Sequence, residues 1–432
     1  MYPNLYYLFL DLFGIKIPVF KVVNSFGFFV ALSFLCAAWF VTKEFKRRQS
    51  LGYFTYSERK IVIGEPASVG ELLSNFFLGF VLGYKIIGIF FIKNALSNPQ
   101  QFIFSWDGNW LVGILLGGLF CFLKWREKEK LKLAVPEQRM VRIWPSDRIG
   151  DIVIICAIAG FSGAKVFDNL ENWNRFIEDP LGNIFSASGL TFYGGLIFAI
   201  IALYYYLRKN KIRFIDVADA VCPALMLAYG LGRIGCQVAG DGDWGIINSA
   251  YLSDTSGKVH LCTPEQFNQA AVMFKDHTEQ FGIIGEIQHT AFKGVSWLPD
   301  WMFAYSYPHN VGSEGIPLAN CTWGEYCNYL PLPVFPTPFY EIVICLILFG
   351  VLWAMRKKIT YPGVLFGWYL LMNGIERFLI EHIRVNTKYD IPFHPSQAEI
   401  LSLCFVIIGV VLITCSKKLI KPRPIFNNKP VQ

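Results

Sequence analysis

Nine stretches of mostly apolar residues run along the chain, at roughly 20–41, 76–94, 109–125, 150–168, 190–208, 217–236, 340–356, 362–382 and 397–415. Each approaches the ~20 residues that cross a hydrocarbon core as a helix. The runs are continuous rather than alternating, which favours helices over a barrel. The third is short, and the sixth is interrupted by Gly230, Gly232 and Gly235. Residues 246–334 are too polar to span. With several tryptophans and the run Leu330-Pro-Leu-Pro-Val-Phe-Pro336, they read as a small extramembrane head. The pattern predicts an all-α, polytopic membrane protein with about nine crossings. An arm and first helix (1–42) lead into loops and an extra hairpin (43–149). Membrane core (150–245), head (246–334), further membrane core (335–415) and a basic tail (416–432) follow.

Composition agrees. Hydrophobic residues make up 54% of the chain and charged residues 16%, against roughly 25% charged in a soluble domain. A soluble enzyme, a disordered chain and a disulfide-framework protein are excluded on that ground. The net charge of +7 comes from short basic clusters between apolar runs, such as Lys43 to Arg48, Lys124 to Lys132, Arg208 to Arg213, Arg356 to Lys358 and Lys417 to Arg423. Clusters of this kind mark cytoplasmic loops and do not make the continuous basic face of a nucleic-acid binder. If the N-terminus is outside, all five fall inside. The opposite side then receives 95–108, with no Lys or Arg, and 169–189, with only Arg175. The expected orientation is N-out, C-in. Residues 1–18 are aromatic and nearly uncharged, unlike a cleavable signal.

An offset of about 80 residues relates two segments. Gly83-Tyr-Lys85, Ile103-Phe-Ser-Trp-Asp-Gly108 and Leu111-Val-Gly113 parallel Gly163-Ala-Lys165, Ile184-Phe-Ser-Ala-Ser-Gly189 and Phe192-Tyr-Gly194. Each copy is a two-helix hairpin, so the repeat is parallel. The alternative is chance similarity of glycine-rich apolar runs. Of the 11 cysteines, Cys262, Cys321 and Cys327 lie in the head, on the side where disulfides persist. A Cys321–Cys327 pair is expected, with Cys262 as the alternative partner.

Three motifs carry candidate chemistry. Arg233 lies in Gly230-Leu-Gly-Arg-Ile-Gly-Cys-Gln-Val-Ala-Gly-Asp-Gly-Asp-Trp-Gly245. An Arg in an apolar span costs at least about 2.5 kcal/mol and marks function by default, unless it snorkels to the interface. Its planar fork of donors suits phosphate. In Asn373-Gly-Ile-Glu-Arg-Phe-Leu-Ile-Glu-His-Ile-Arg384, helical spacing puts Arg377, Glu381 and Arg384 on one face. Glu381 can hold either arginine, and a purely structural ion-pair ladder is the alternative. In Ser188-Gly-Leu-Thr-Phe-Tyr-Gly-Gly195, the paired glycines admit close packing or a lipid chain, and Tyr193 can move a proton. Two arginines on different helices suggest a lipid phosphate as ligand. The six histidines show no metal spacing.

These residues resemble the bacterial prolipoprotein diacylglyceryl transferase family. Gly232-Arg-Ile-Gly, Asp243-Trp-Gly245, Phe192-Tyr-Gly-Gly-Leu-Ile197, Pro338-Phe-Tyr-Glu341 and Arg377-Phe-Leu-Ile-Glu-His-Ile-Arg384 look like its signatures in the right order, and Ser25-Phe-Gly27 fits its first helix. The resemblance implies an inner-membrane enzyme. It moves a diacylglyceryl group from phosphatidylglycerol to the lipobox cysteine of a preprolipoprotein, forming a thioether and releasing glycerol phosphate. Arg233 and Arg377 match the family's essential arginines. Tyr193 stands where the family usually has His, Asn373 and Phe26 where it has Tyr, and Cys236 where it has Asn. Catalysis is therefore expected of Arg233, Arg377 and Tyr193. Substrate binding is expected of Arg233, Gly194, Gly195, Asp243, Gly245, Asn373, Glu381 and Arg384, with the two glycines leaving room for the acyl-bearing glycerol. The phosphate-handling part is intact. A tyrosine of reference pKa about 10 is protonated at neutral pH and so a poor substitute for His as base unless its pKa falls, and Asp241, Asp243 or unaided ionisation of the thiol beside two arginines are the alternatives. The expected partners are phosphatidylglycerol, preprolipoprotein signal peptides and membrane lipids. No cofactor, metal or nucleic acid is expected, and the chain is expected to be a monomer. The rival readings are a related lipid transferase with another acceptor, and a lipid transporter without chemistry.

Overall fold

The computed structural model describes residues 1–92, 95, 102–103, 105–185, 191–277, 282–283, 286–385, 389 and 394–425. All nine apolar segments contain helix: α2 (Ser25–Ser50), α3 (Val69–Val81, continued by tighter and wider turns to Phe91), α4 (Trp110–Lys130), α5 (Ile149–Glu171), α8 (Phe192–Lys209), α9 (Phe214–Ala239), α11 (Thr337–Met355), α12 (Val364–Glu381) and α13 (Gln397–Leu419). Shorter helices are α1 (Leu5–Phe13), α6 (Trp173–Glu178), α7 (Pro180–Phe185) and α10 (Pro264–Met273). Among the described residues, six are long and apolar enough to cross a membrane: Ser25–Ser50, Val69–Phe91, Pro145–Glu171, Phe214–Ala239, Thr337–Met355 and Gln397–Leu419. The protein is thus a mostly helical, polytopic membrane protein. The other three carry charge within or at the end of their apolar length, as Glu376, Arg377 and Glu381 do on α12.

The chain forms two compact units. The first is Met1–Glu44 with Ile215–Pro424, and the second is built on Phe45–Phe214.

In the first unit α9 is continuous through Gly230, Gly232 and Gly235 despite the interruption expected there, and contains Pro223. Gly235 lets the backbone of Phe26 on α2 come close, since a Cβ there would sit 3.1 Å from the Phe26 carbonyl. Helices α12 and α13 meet through small residues: a Cβ on Gly374 would lie 2.7 Å from the Ser402 carbonyl, the close approach that packs helices in lipid. The first turn of α12 follows Gly363, whose φ of +86° suits glycine. Its free amides are capped from another helix. Asp219 of α9 accepts from the Gly363 and Phe366 amides, at 2.8 Å each, and Arg423 pairs with both Asp216 and Asp219.

The head follows α9. It is built from short strand pairs: β3 (Ile247–Asn248) with β8 (His289–Thr290), β4 (Tyr251–Ser253) with β5 (Val259–Leu261), β6 (Gly282–Ile283) with β7 (Glu286–Ile287), and β9 (Ile316–Pro317) with β10 (Asn328–Tyr329). They surround a core of Trp244, Ile247, Phe267, Tyr307, Leu330, Leu332 and Val334. Cys321 and Cys327 form the disulfide, and Cys262 is a free thiol.

The second unit holds two hairpins, α3 with α4 and α5 with α8. The seven-residue antiparallel ribbon β1 (Ser57–Ile63) and β2 (Glu137–Ile143) brackets the first. The hairpins pack alike. A Cβ on Gly83 would meet the Val112 carbonyl at 2.5 Å, and one on Gly163 would meet the Gly194 carbonyl at 2.4 Å. Lys85 donates to the Phe102 carbonyl at 3.1 Å and Lys165 to the Asn183 carbonyl at 3.0 Å. Donor and acceptor pairs are again about 80 residues apart, so the repeat is structural as well as sequential. Phe104 and residues 186–190, including Ser188 to Leu190 of the third motif, lie outside the described residues.

Candidate functional site

The site grows from three helices of the first unit. α9 carries Arg233 near its end, α12 carries Arg377, and α11 brings Glu341 five residues into its apolar length. Glu341 is fully buried and acts as the hub. Its Oε1 accepts from the Tyr229 hydroxyl at 2.5 Å and from Arg377 Nη1 at 3.3 Å. Its Oε2 lies 2.8 Å from Arg233 Nε and 3.9 Å from Arg384 Nη1. Three guanidinium groups thus converge on one carboxylate, in a place where unpaired charge is expensive.

Two further acids close the cluster. Asp243, on the loop after α9, pairs with both Arg233 and Arg384. Glu381 pairs with Arg377 at 3.0 Å and accepts from the Ser396 hydroxyl at 2.5 Å. That loop is stitched to its neighbours by backbone: the Gly245 amide donates to the Phe335 carbonyl at 2.9 Å and the Ile246 amide to the Ile383 carbonyl at 2.8 Å. A Cβ on Gly245 would sit 2.5 Å from the Ile383 carbonyl and 2.9 Å from that of Phe335. Gly245 is therefore fixed by three chain segments meeting, which in turn aims Asp243 at the arginines.

The arrangement differs from the expected stripe. α12 ends at Glu381, and Arg384 lies beyond it, its backbone bridged to Gly245. Arg384 is therefore not held by Glu381 along a helix face; it turns to Asp243 and Glu341 instead. Asn373 sits on α12 one turn before Arg377. Cys236 is buried, with its sulfur 3.8 Å from Arg233 Nη1. Tyr193, Gly194 and Gly195 open α8 in the second unit. The two glycines pack closely against α5: a Cβ on Gly194 would lie 2.4 Å from Phe167 Cβ, and one on Gly195 2.9 Å from the Gly160 carbonyl.

Glu341 was visible in the sequence as the end of Pro338-Phe-Tyr-Glu341 and as an acid inside an apolar run, but was not among the expected site residues. That signal has the same physical weight as Arg233, because both are charges in a span. Among the described residues no group of His, Cys, Asp and Glu is arranged to hold a metal ion. A cluster of three arginines and three acids, with its hydrogen bonds incomplete at Arg233 Nε, Arg384 Nε and Nη1, and Glu341 Oε2, can exchange an internal carboxylate for an incoming phosphate.

Comparison with known proteins agrees. The family model described as prolipoprotein diacylglyceryl transferase matches residues 110–415. The chain is 24% identical over 320 residues to the phosphatidylglycerol–prolipoprotein diacylglyceryl transferase of Leptospira interrogans, covering 67% of this chain and 76% of that protein. It is 26% identical over 285 residues to the Vibrio cholerae protein of the same name (64% and 77%), and 25% over 277 residues to that of Treponema denticola (59% and 68%). With more than half of its length matched by the family model, this chain belongs to the prolipoprotein diacylglyceryl transferase family.

Proposed function

We propose that this protein transfers the diacylglyceryl group of phosphatidylglycerol to the lipobox cysteine of preprolipoproteins in the bacterial inner membrane. The observation that carries the reading is the convergence of Arg233 and Arg377 on a single anion, the Glu341 carboxylate. A phosphate arriving there takes over the contacts that Glu341 now receives. Arg offers it a planar bidentate fork.

In the reaction the cysteine sulfur bonds to the glyceryl carbon and the carbon–oxygen bond to phosphate breaks. The electron pair leaves with glycerol phosphate, which gains a negative charge, and the thiol proton is released. Arg233 and Arg377 stabilise the charge that develops on the phosphate, and Asp243 and Glu381 orient them. Asn373, one turn from Arg377, lines the same helix face. Tyr193 is the residue that matches the family's His in sequence. Most of the rate gain comes from holding two substrates in line.

The chain crosses the membrane nine times with its N-terminus outside. Basic residues in the last turns of α2, α4, α8 and α13 support that orientation. The deciding experiment incubates purified protein with phosphatidylglycerol and either a lipobox peptide or a free thiol. Thioether formation on the peptide, with one glycerol phosphate released per transfer and none from Arg233→Ala, is the expected result. Transfer to free thiols alone would assign a different acceptor. Lipid movement between vesicles without glycerol phosphate would assign transport.

A further inference from the structure

Glu376 is a buried acid of this region that, among the described residues, no arginine holds in an ion pair. It precedes Arg377 on α12, is 3% exposed, and neither of its carboxyl oxygens has a hydrogen-bond partner among the described residues. Groups whose charge reaches it lie on three helices: Arg233 and Tyr229 on α9, Glu341 and Cys345 on α11, and Arg377 and Tyr369 on α12 itself. It therefore lies beside the Glu341 hub without sharing in the hub's ion pairs. Two buried acceptors left open are destabilising, and an apolar residue at this helix position would avoid the cost. Buried polar atoms without partners call for an explanation, and a ligand that supplies donors is one.

The lipid proposed above supplies them. Its leaving half is a phosphate carrying a glycerol with two adjacent free hydroxyls. Once Arg233 and Arg377 hold the phosphate, the diol still needs acceptors, and two oxygens of one carboxyl group match two hydroxyls on neighbouring carbons. We propose that Glu376 receives the headgroup diol and so selects phosphatidylglycerol over anionic phospholipids that lack the hydroxyls. This inference rests on the phosphatidylglycerol reading. It makes Glu376 a specificity-determining residue for the same reaction.

The test compares phosphatidylglycerol with phosphatidylpropanol, which has the same charge, acyl chains and three-carbon headgroup but no headgroup hydroxyls. Transfer to a lipobox peptide is measured for the wild type, Glu376→Leu and Glu376→Gln in vesicles containing one donor lipid at a time. A site built to bond a hydroxyl discriminates strongly against an analogue lacking it. The wild type is therefore expected to prefer phosphatidylglycerol at least ~30-fold in kcat/KM. Glu376→Leu should reduce the ratio below about threefold, through a higher KM for phosphatidylglycerol, because the acceptors are gone. Glu376→Gln, which keeps one acceptor oxygen, should fall between. Native mass spectrometry of the full chain in detergent reads the same preference as binding, independent of turnover. An unchanged ratio in Glu376→Leu, or a wild type that does not discriminate, overturns the inference. If Glu376→Leu does not fold, the binding ratio of Glu376→Gln decides. A wild type that binds both lipids but transfers from neither overturns the transfer reading instead, and its binding ratio still decides the role of Glu376.

Discussion

The helices that carry the two arginines are tied together at both ends, and the ties are built differently. At the Gly363 end, Asp219 of α9 caps the first turn of α12 with two 2.8 Å bonds, and Arg423 closes the pair Asp216 and Asp219. Among the described residues Arg423 meets both acids there, and Asp219 also accepts from two backbone amides. At the Glu381 end, three arginines meet Asp243, Glu341 and Glu381, and several of their nitrogens and oxygens touch as charges without completing hydrogen bonds. A buried ion pair stabilises only when its leftover donors and acceptors are satisfied. By that standard the first tie is structural. The second holds excess donors ready, at a cost in stability that only a ligand can offset.

The contrast yields graded predictions. The largest effect belongs to Arg377→Lys. A point charge cannot reproduce the fork, and kcat/KM for transfer should fall by about 100-fold or more, measured as thioether formed on a lipobox peptide. Retention of near-normal turnover would make the second tie structural like the first. Next comes Glu341→Gln, which leaves three guanidinium groups without their shared carboxylate. It should lower thermal stability by about 3 kcal/mol and reduce turnover together with it, as read by calorimetry and assay on the same sample. Asp219→Ala separates the two ties. Stability should fall by a similar ~3 kcal/mol because a buried pair and a cap are broken, while turnover per folded molecule stays near wild type. A specific loss of turnover would mean that the Gly363 end takes part in catalysis.

The smallest effect lies in the head. His309 stacks on Trp323 at 4.0 Å, and burial lowers its pKa below the usual value, against a smaller opposing effect from the Tyr326 carbonyl. The folded head favours the neutral ring. Its contribution to stability is therefore present above the unfolded value of about 6.5 and is lost as pH falls through the folded value. Amide protection factors around Trp323, taken relative to the intrinsic exchange rate at each pH, should fall as pH drops below the usual histidine value of about 6.5 in the wild type and change less in His309→Gln. An equal acid response in both would remove His309 from the head's stability.

Much of this was legible in the chain itself. The nine apolar segments, the repeat and the polar stretch 246–334 follow from local pattern, and the Cys321–Cys327 pair was expected with Cys262 left as an alternative partner. Arg233 and Arg377 stood out because charge inside an apolar run is rare. The pattern missed what depends on distant partners. Glu341 meets Tyr229 across 112 positions, and Asp219 meets Phe366 across 147. No periodicity encodes such pairings. Helical spacing also carried Arg384 onto a face that does not exist, because the chain leaves α12 at Glu381 to join Gly245. The two glycines of α8 have the same origin: their need is set by α5, a neighbour the local sequence does not name.

A double-mutant cycle on Arg233→Gln and Arg377→Gln, read as kcat/KM for diacylglyceryl transfer from phosphatidylglycerol, tests the shared anion most directly. Residues that act as a unit on one group lose function non-additively. The double variant should therefore be no more than about threefold worse than the poorer single variant. Losses that multiply would show the two arginines acting on separate groups, and would contradict the common phosphate site.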